Sequence, residues 1–164
     1  MDEQLAALAD VARSLEAAGL DYWLFGGWAV DFYAGAVTRP HADLDLAVWL
    51  DDLPRIAELL EASGWRHAPE PDEDGGTGYE RDGARLELTF LARDGDLVFT
   101  PLRDGRAAWP DDTFGDDTGQ LEGVRARLIA FDSLLRGKSS PRDDPAEAAK
   151  DRADLGRLEK VERP

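Results

Sequence analysis

The sequence contains no cysteine and only two histidines, His41 and His67. Without thiols there is no disulfide, no cysteine nucleophile and no thiolate zinc site. Two imidazoles also exclude a histidine-rich metal centre. Positive charge is scarce: 19 Lys and Arg stand against 35 Asp and Glu, a formal net charge of −16, and only three of the cations are lysines. Such a chain repels nucleic-acid backbones and attracts cationic partners, so no nucleic-acid partner is expected. Long hydrophobic runs are missing as well. No segment approaches the ~20 apolar residues that cross a bilayer, and "MDEQLAALADVARSL" carries acids where a signal peptide carries positive charge. The expectations are no membrane association and a cytoplasmic location. What is present is 164 residues, 43 % of them hydrophobic, enough for one domain with a core.

Periodicity organises the chain. Leu5, Leu8, Val11, Ala12 and Leu15 fall at helical spacing over residues 2–18, with Gly19 as the stop. "DYWLF" (21–25) predicts a buried strand, broken by Gly26 and Gly27. "WAVDFYAG" predicts a short helix closed by Gly35. "TRPH" is a turn, because Pro40 pushes Arg39 out of helical geometry. "DLDLAVWL" (43–50) alternates as a strand. "DDLPRIAELLEASG" then predicts a helix with Asp51 or Asp52 as N-cap and Pro54 in its first turn. Residues 69–83 read as an acidic loop with a short strand around Tyr79. Strands follow at 84–91 and in "DLVFTPL", a loop over 103–120, and a strand or hairpin in "LEGVRARLI". Two helices close the chain, "AFDSLLRG" and about 144–159. The fold class is α/β (α+β): a mixed sheet flanked by helices, with C-terminal helices. The expected division is a core over 1–129 and a helical segment over 130–164 packing on it.

The chemistry lies in "FGGWAVDFYAGAVTRPHADLDLAVWL", residues 25–50. Successive strand side chains point to opposite faces. Asp43 and Asp45 therefore share one face, and Leu44, Leu46 and Val48 share the other. Two carboxylates at this range repel, and a divalent cation between them reverses the sign. Mg²⁺ fits, as a hard ion held by carboxylates and substrate phosphates. In "RLELTF", Arg85, Glu87 and Thr89 share a face, and Glu87 is the only acid of that strand. If the two strands are neighbours, three acids, two Mg²⁺ ions and a nucleoside triphosphate make a two-metal site for phosphoryl or nucleotidyl transfer. Gly26 and Gly27 stand where a strand turns into a helix, where backbone can approach phosphate and the helix N-terminus favours negative charge.

These residues resemble the DNA polymerase β-like nucleotidyltransferase superfamily. The longer string is similar to the aminoglycoside and lincosamide nucleotidyltransferases, the 2''-adenylyltransferase type in particular. Gly26, Gly27, Trp28, Asp31, Gly35, Thr38, Arg39, His41, Asp43 and Asp45 carry the likeness. It is strong over about 20–50 and weaker through "RLELTFL" and "KDRADLGRL". Trp28 stands where the wider superfamily often has Ser, and Glu87 where these enzymes commonly have Asp. The resemblance implies a polymerase β-like fold and catalytic, metal-binding Asp43, Asp45 and Glu87. It implies Mg²⁺ and ATP or another NTP, and transfer of an NMP to a hydroxyl of a small cationic acceptor such as an aminoglycoside. A monomer or homodimer is expected. Alternatives of other classes are a toxin–antitoxin type nucleotidyltransferase acting on protein or tRNA, and a non-catalytic nucleotide-binding module.

Gly26, Gly27, Trp28, Arg39, His41, Lys138 and Lys150 are the candidate nucleotide-binding residues. Arg39 is also the expected partner of Asp31, which a flanking Val30 and Phe32 would bury. Trp65, Tyr79 and Trp109 are able either to stack on a base or sugar or to pack in the core.

Overall fold

The structure is a computed structural model and describes residues 2–163. Its helices are α1 (Glu3–Ala17), α2 (Gly26–Ala34), α3 (Leu53–Ala62), α4 (Phe131–Lys138) and α5 (Pro145–Glu159). Its strands are β1 (Trp23–Phe25), β2 (Leu44–Trp49), β3 (Arg66–His67), β4 (Gly76–Arg81), β5 (Ala84–Asp94), β6 (Leu97–Leu102), β7 (Gly105–Ala108), β8 (Thr118–Leu121) and β9 (Val124–Arg127). The large sheet runs β1-β2-β5-β4-β3, and the far end of β5 pairs with β6, which pairs with β7. β2 and β5 are parallel, and the other pairings of this sheet are antiparallel. The mixed α/β sheet flanked by helices is thus the expected architecture.

The alternating sequences fold for the expected reason. Leu44, Leu46 and Val48 of β2 and Leu86 and Leu88 of β5 are buried. The amphipathic face of α1 covers the core with Leu5, Leu8, Val11 and Leu15, packing against α3, β5 and β9. The C-terminal helices lie on α2. Tyr33 of α2 meets Phe131 of α4 edge-on and donates its hydroxyl to the carbonyl of Ile129.

The structure corrects several boundaries. Residues 103–120, expected as a loop, contain β7 and the start of β8. β4 spans six residues within the expected acidic loop. It joins β5 through Asp82 and Gly83, both at positive φ (49° and 83°), the backbone of a two-residue hairpin turn. The entry to α3 is a 3₁₀ turn over Leu50–Asp52, and Asp52 occupies the cap position without a side-chain hydrogen bond. β2 begins at Leu44, so Asp43 stands immediately before the strand.

Candidate active site

β1, the N-terminus of α2, the turn before β2, and α4 and α5 enclose a cleft of about 430 Å³. Its lining holds the acids Asp43, Asp45 and Glu147 together with the cations Arg39, Lys138, Arg142 and Lys150, and Phe25 and Trp109 as aromatic surface. Acids and cations thus line one space fit for a small ligand.

The double glycine makes this geometry possible. Gly26 has φ +71°, and a Cβ there would overlap Oδ2 of Asp45. A Cβ on Gly27 would lie 2.5 Å from His41 Nδ1 and 2.7 Å from Arg39 Nη2. The glycines therefore admit the side chains of Asp45, His41 and Arg39 as well as opening backbone to the cleft. Phe25, the cap residue of α2, offers no side-chain hydrogen bond. The first N–H groups of the helix consequently lack a side-chain acceptor at the cleft wall.

Asp45 is in register with Glu87 across the parallel β2–β5 pair. Burial, the charge of Asp43 and the charge of Glu87 push the Asp45 carboxyl up to about 8, with Lys138 pulling the other way. A buried carboxylate crowded by a second one is a donor pair suited to a divalent cation, so Asp43 and Asp45 fit Mg²⁺. Glu87 is engaged differently. Arg85 Nε donates to its Oε1 at 2.5 Å. Burial raises the Glu87 carboxyl and Arg85 partly offsets that rise. Glu87 lies one strand over from Asp45 and does not line the cleft. Among the described residues, no three His or acidic side chains converge as a metal cluster.

Arg85 is itself held by acids. It lies 3.3 Å from Glu70, 3.5 Å from Glu73 and 3.2 Å from Glu80. Gly78 leaves the space for its guanidinium.

Two expectations need correction. Trp28, grouped with the nucleotide-binding residues, is buried at 1 % exposure, donates Nε1 to Gln4 Oε1 (2.8 Å) and does not line the cleft. Its indole is too large and apolar to remain at the surface of a helix that packs inward. Asp31 is not paired with Arg39. It is fully buried and accepts from Thr38 Oγ1, with His41 Nε2 at 2.6 Å. Arg39 instead reaches across the fold to Asp154, with Nη2–Oδ2 at 2.9 Å and Nε–Oδ1 at 3.2 Å. His41 lines the cleft and packs its ring on Trp28, centroids 4.6 Å apart.

The C-terminal cations converge on the same place. Lys138 Nζ is 3.0 Å from Asp154 and 3.4 Å from Asp151. Arg142 binds Asp151 at 2.9 Å. Lys150 pairs with Glu147 at 3.1 Å beside the cleft. Burial alone would raise the Asp154 carboxyl, but hydrogen bonds from Arg39 and Lys138 bring it below the ordinary value. Arg142, Asp151 and Asp154 were missed from sequence. The only signal was their acid–base spacing in "PRDDPAEAAKDRADL", which any solvated helix also shows.

Of the three aromatic residues weighed for stacking, Trp65 and Tyr79 are core residues, each 3 % exposed. Trp109 does line the cleft, edge-on to Phe25 (5.8 Å) and Phe114 (5.2 Å), and donates to Thr100 Oγ1.

Known proteins share this fold. The crystal structure of the lincosamide antibiotic adenylyltransferase LnuA, lincomycin-bound, matches with a TM-score of 0.75 at 18 % identity, covering 99 % of this chain and 98 % of that one. ANT(2'')-Ia in complex with adenylyl-2''-tobramycin matches with a TM-score of 0.72 at 19 % identity, covering 94 % and 88 %. These likenesses establish the nucleotidyltransferase fold. A 2''-aminoglycoside nucleotidyltransferase of Klebsiella pneumoniae is 30 % identical over 106 residues, 65 % of this chain and 49 % of that protein. A relative of the same description from Escherichia coli is 28 % identical over the same length. The chain spans about half the length of the curated relatives it matches. The family model for aminoglycoside-2''-adenylyltransferase covers residues 7–155, and the chain belongs to that family.

Proposed function

We propose that this chain is a Mg²⁺-dependent nucleotidyltransferase that moves an NMP, AMP from ATP, to a hydroxyl of a small polycationic acceptor of the aminoglycoside class, releasing pyrophosphate. The observation that carries this reading is that one cleft is lined both by Asp43 and Asp45 and by Arg39, Lys138, Arg142 and Lys150. A triphosphate needs cations along its length and a metal-binding carboxylate pair at its reacting end.

In the reaction, the acceptor oxygen forms a bond to the α-phosphorus as the bond to the bridging oxygen breaks. Pyrophosphate leaves with that electron pair. Glu87, in register with Asp45 on the next strand, takes the hydroxyl proton from an acceptor that reaches past the cleft edge toward β5. Asp43 and Asp45 would hold Mg²⁺, and the metal would supply Lewis-acid polarisation of the triphosphate. Arg39, Lys138 and the N-terminal amides of α2 bind phosphate oxygens. His41 orders the turn between Asp31 and the cleft.

The test is to incubate the protein with each labelled NTP, Mg²⁺ and a panel containing tobramycin and lincomycin. The expected result is pyrophosphate plus tobramycin heavier by one NMP. Product on lincomycin alone would move the acceptor to the lincosamides. No pyrophosphate with any NTP and acceptor would overturn the enzymatic reading.

A further inference from the structure

We infer that Asp154, a residue outside the cleft, is a positioning residue that sets Arg39 and Lys138 for the triphosphate. Its side chain is fully buried in the middle of α5. It makes four contacts to three cations: Nη2 and Nε of Arg39 at 2.9 and 3.2 Å, Nζ of Lys138 at 3.0 Å, and Nη1 of Arg157 at 2.9 Å. Arg39 and Lys138 line the cleft, whereas Asp154 and Arg157 do not. One carboxylate thereby ties a turn residue 115 positions away in sequence to the last residue of α4.

The chemistry explains why an acid belongs behind a phosphate-binding wall. Arg and Lys carry much rotamer freedom, which is lost when they grip a ligand. A buried carboxylate that accepts from both removes that freedom beforehand, which is preorganisation. The bidentate fork on Arg39 also fixes the plane of its guanidinium. The charge of the carboxylate is shared among three cations, and Arg142 and Lys150 line the same cleft as Arg39 and Lys138.

Two simple models give opposite signs. If Asp154 acted only through its charge, removing it would make the wall more positive and tighten anion binding. If it acts by positioning, removing it frees Arg39 and Lys138 and weakens binding. A purely structural role would lower the melting temperature without changing the affinity of the folded protein.

The experiment is calorimetric titration of the full chain with Mg²⁺-ATP and, separately, with inorganic tripolyphosphate. It compares wild type, Asp154→Asn and Asp154→Glu, each first shown to be folded by its melting curve. Asp154→Asn is expected to weaken both ligands by about tenfold or more. The equal loss on tripolyphosphate would place the effect at the phosphates, not the base. Asp154→Glu keeps the charge and shifts the carboxylate by one methylene, so it reports placement alone, and a several-fold loss is expected. It decides the matter if Asp154→Asn does not fold. Unchanged or tighter binding in the folded variants would overturn the inference.

The inference rests on the cleft taking a nucleoside triphosphate. A wild-type protein that binds neither probe would overturn both readings, whereas wild-type binding with unaffected variants would overturn only the role of Asp154.

Discussion

Asp45 on β2 and Glu87 on β5 stand side by side in the parallel register, yet their carboxylates answer to different neighbours. Asp45 is crowded by Asp43 and buried, which pushes its carboxyl up to about 8. Glu87 is bound by Arg85 at 2.5 Å. Asp45 is crowded by like charge with Lys138 acting against it, and Glu87 is held by an internal cation.

The raised Asp45 carboxyl makes stability depend on pH in a direction opposite to that of an ordinary ion-paired acid. In the unfolded chain Asp45 loses its proton near pH ~4, whereas in the folded protein it keeps it to about 8. Folding therefore binds a proton across that window, and stability falls as pH rises through it. Asp45→Asn cannot lose a proton and escapes this cost. In EDTA, the melting temperature of Asp45→Asn minus that of wild type is expected to grow from pH 4 to 8 and then level off. Mg²⁺ should raise the melting temperature of wild type and leave the variant unmoved, and transfer should be lost. A difference that stays flat with pH would show that Asp45 titrates normally.

Glu87→Gln should still bind Mg²⁺-ATP, while transfer drops by about 10²-fold or more, the usual size of a lost general base. Arg85→Gln should slow transfer less. In the Glu87→Gln background it should cost nothing further, because Arg85 reaches the chemistry through Glu87. Additive losses in the double variant would separate the two residues.

Gly26 and Gly35 form a controlled comparison. Both sit at positive φ, +71° and +76°, but a Cβ on Gly26 meets Asp45 and one on Gly35 meets nothing within 4 Å. Gly35→Ala should cost about 1 kcal/mol of stability through backbone strain alone and leave activity intact. Gly26→Ala should cost more than that and displace Asp45, so that activity falls out of proportion to stability. Denaturant unfolding and transfer rates of both variants check this. Equal losses of activity would show that strain, not the Asp45 contact, is what Gly26 relieves.

How much of this was legible depended on whether the determinant was local. Period-two alternation marked β2 and β5, because one face of each is buried, and it placed Asp45 and Glu87 on the polar face. The parallel pairing that brings them together is a non-local choice that alternation does not encode. β7, "GRAA", has no buried residue at all and so carries no hydrophobic pattern. The Asp82–Gly83 turn was a readable hairpin signal, hidden within an acidic stretch that resembled a loop. Trp28 looked available beside the glycines, but α2 turns it into the core, where Gln4 from α1 accepts from its indole. Asp31 and Arg39 are near in sequence and opposite in charge, yet His41 and Asp154 supply better-placed partners. Pairs of that kind are settled by tertiary packing, not by spacing.

The acidic loops bear on the acceptor. In the segment 70–76, Glu70 and Glu73 already neutralise Arg85, and Asp74 Oδ1 accepts from the Arg103 amide at 2.9 Å. The segment 111–117 is anchored differently. Thr113 is buried against Ser133, and Phe114 packs on Trp109, which lines the cleft. Asp111, Asp112, Asp116 and Asp117 remain exposed around that anchor. A rigidly seated loop with outward acids beside the cleft would raise the local concentration of a polycation by long-range attraction. Such attraction is largely screened beyond about 8 Å at 0.15 M ionic strength. The affinity for tobramycin is therefore expected to fall as salt rises. Replacing these four aspartates with asparagine should weaken tobramycin at low salt and flatten the salt dependence, while leaving Mg²⁺-ATP affinity unchanged or slightly improved. Lincomycin, with at most about one positive charge, should show little of either effect, since the attraction scales with ligand charge. Calorimetry of both acceptors at low and high salt, on wild type and the four-site variant, measures this. A tobramycin affinity independent of salt would reduce these aspartates to a solubilising surface and leave acceptor choice to the cleft walls.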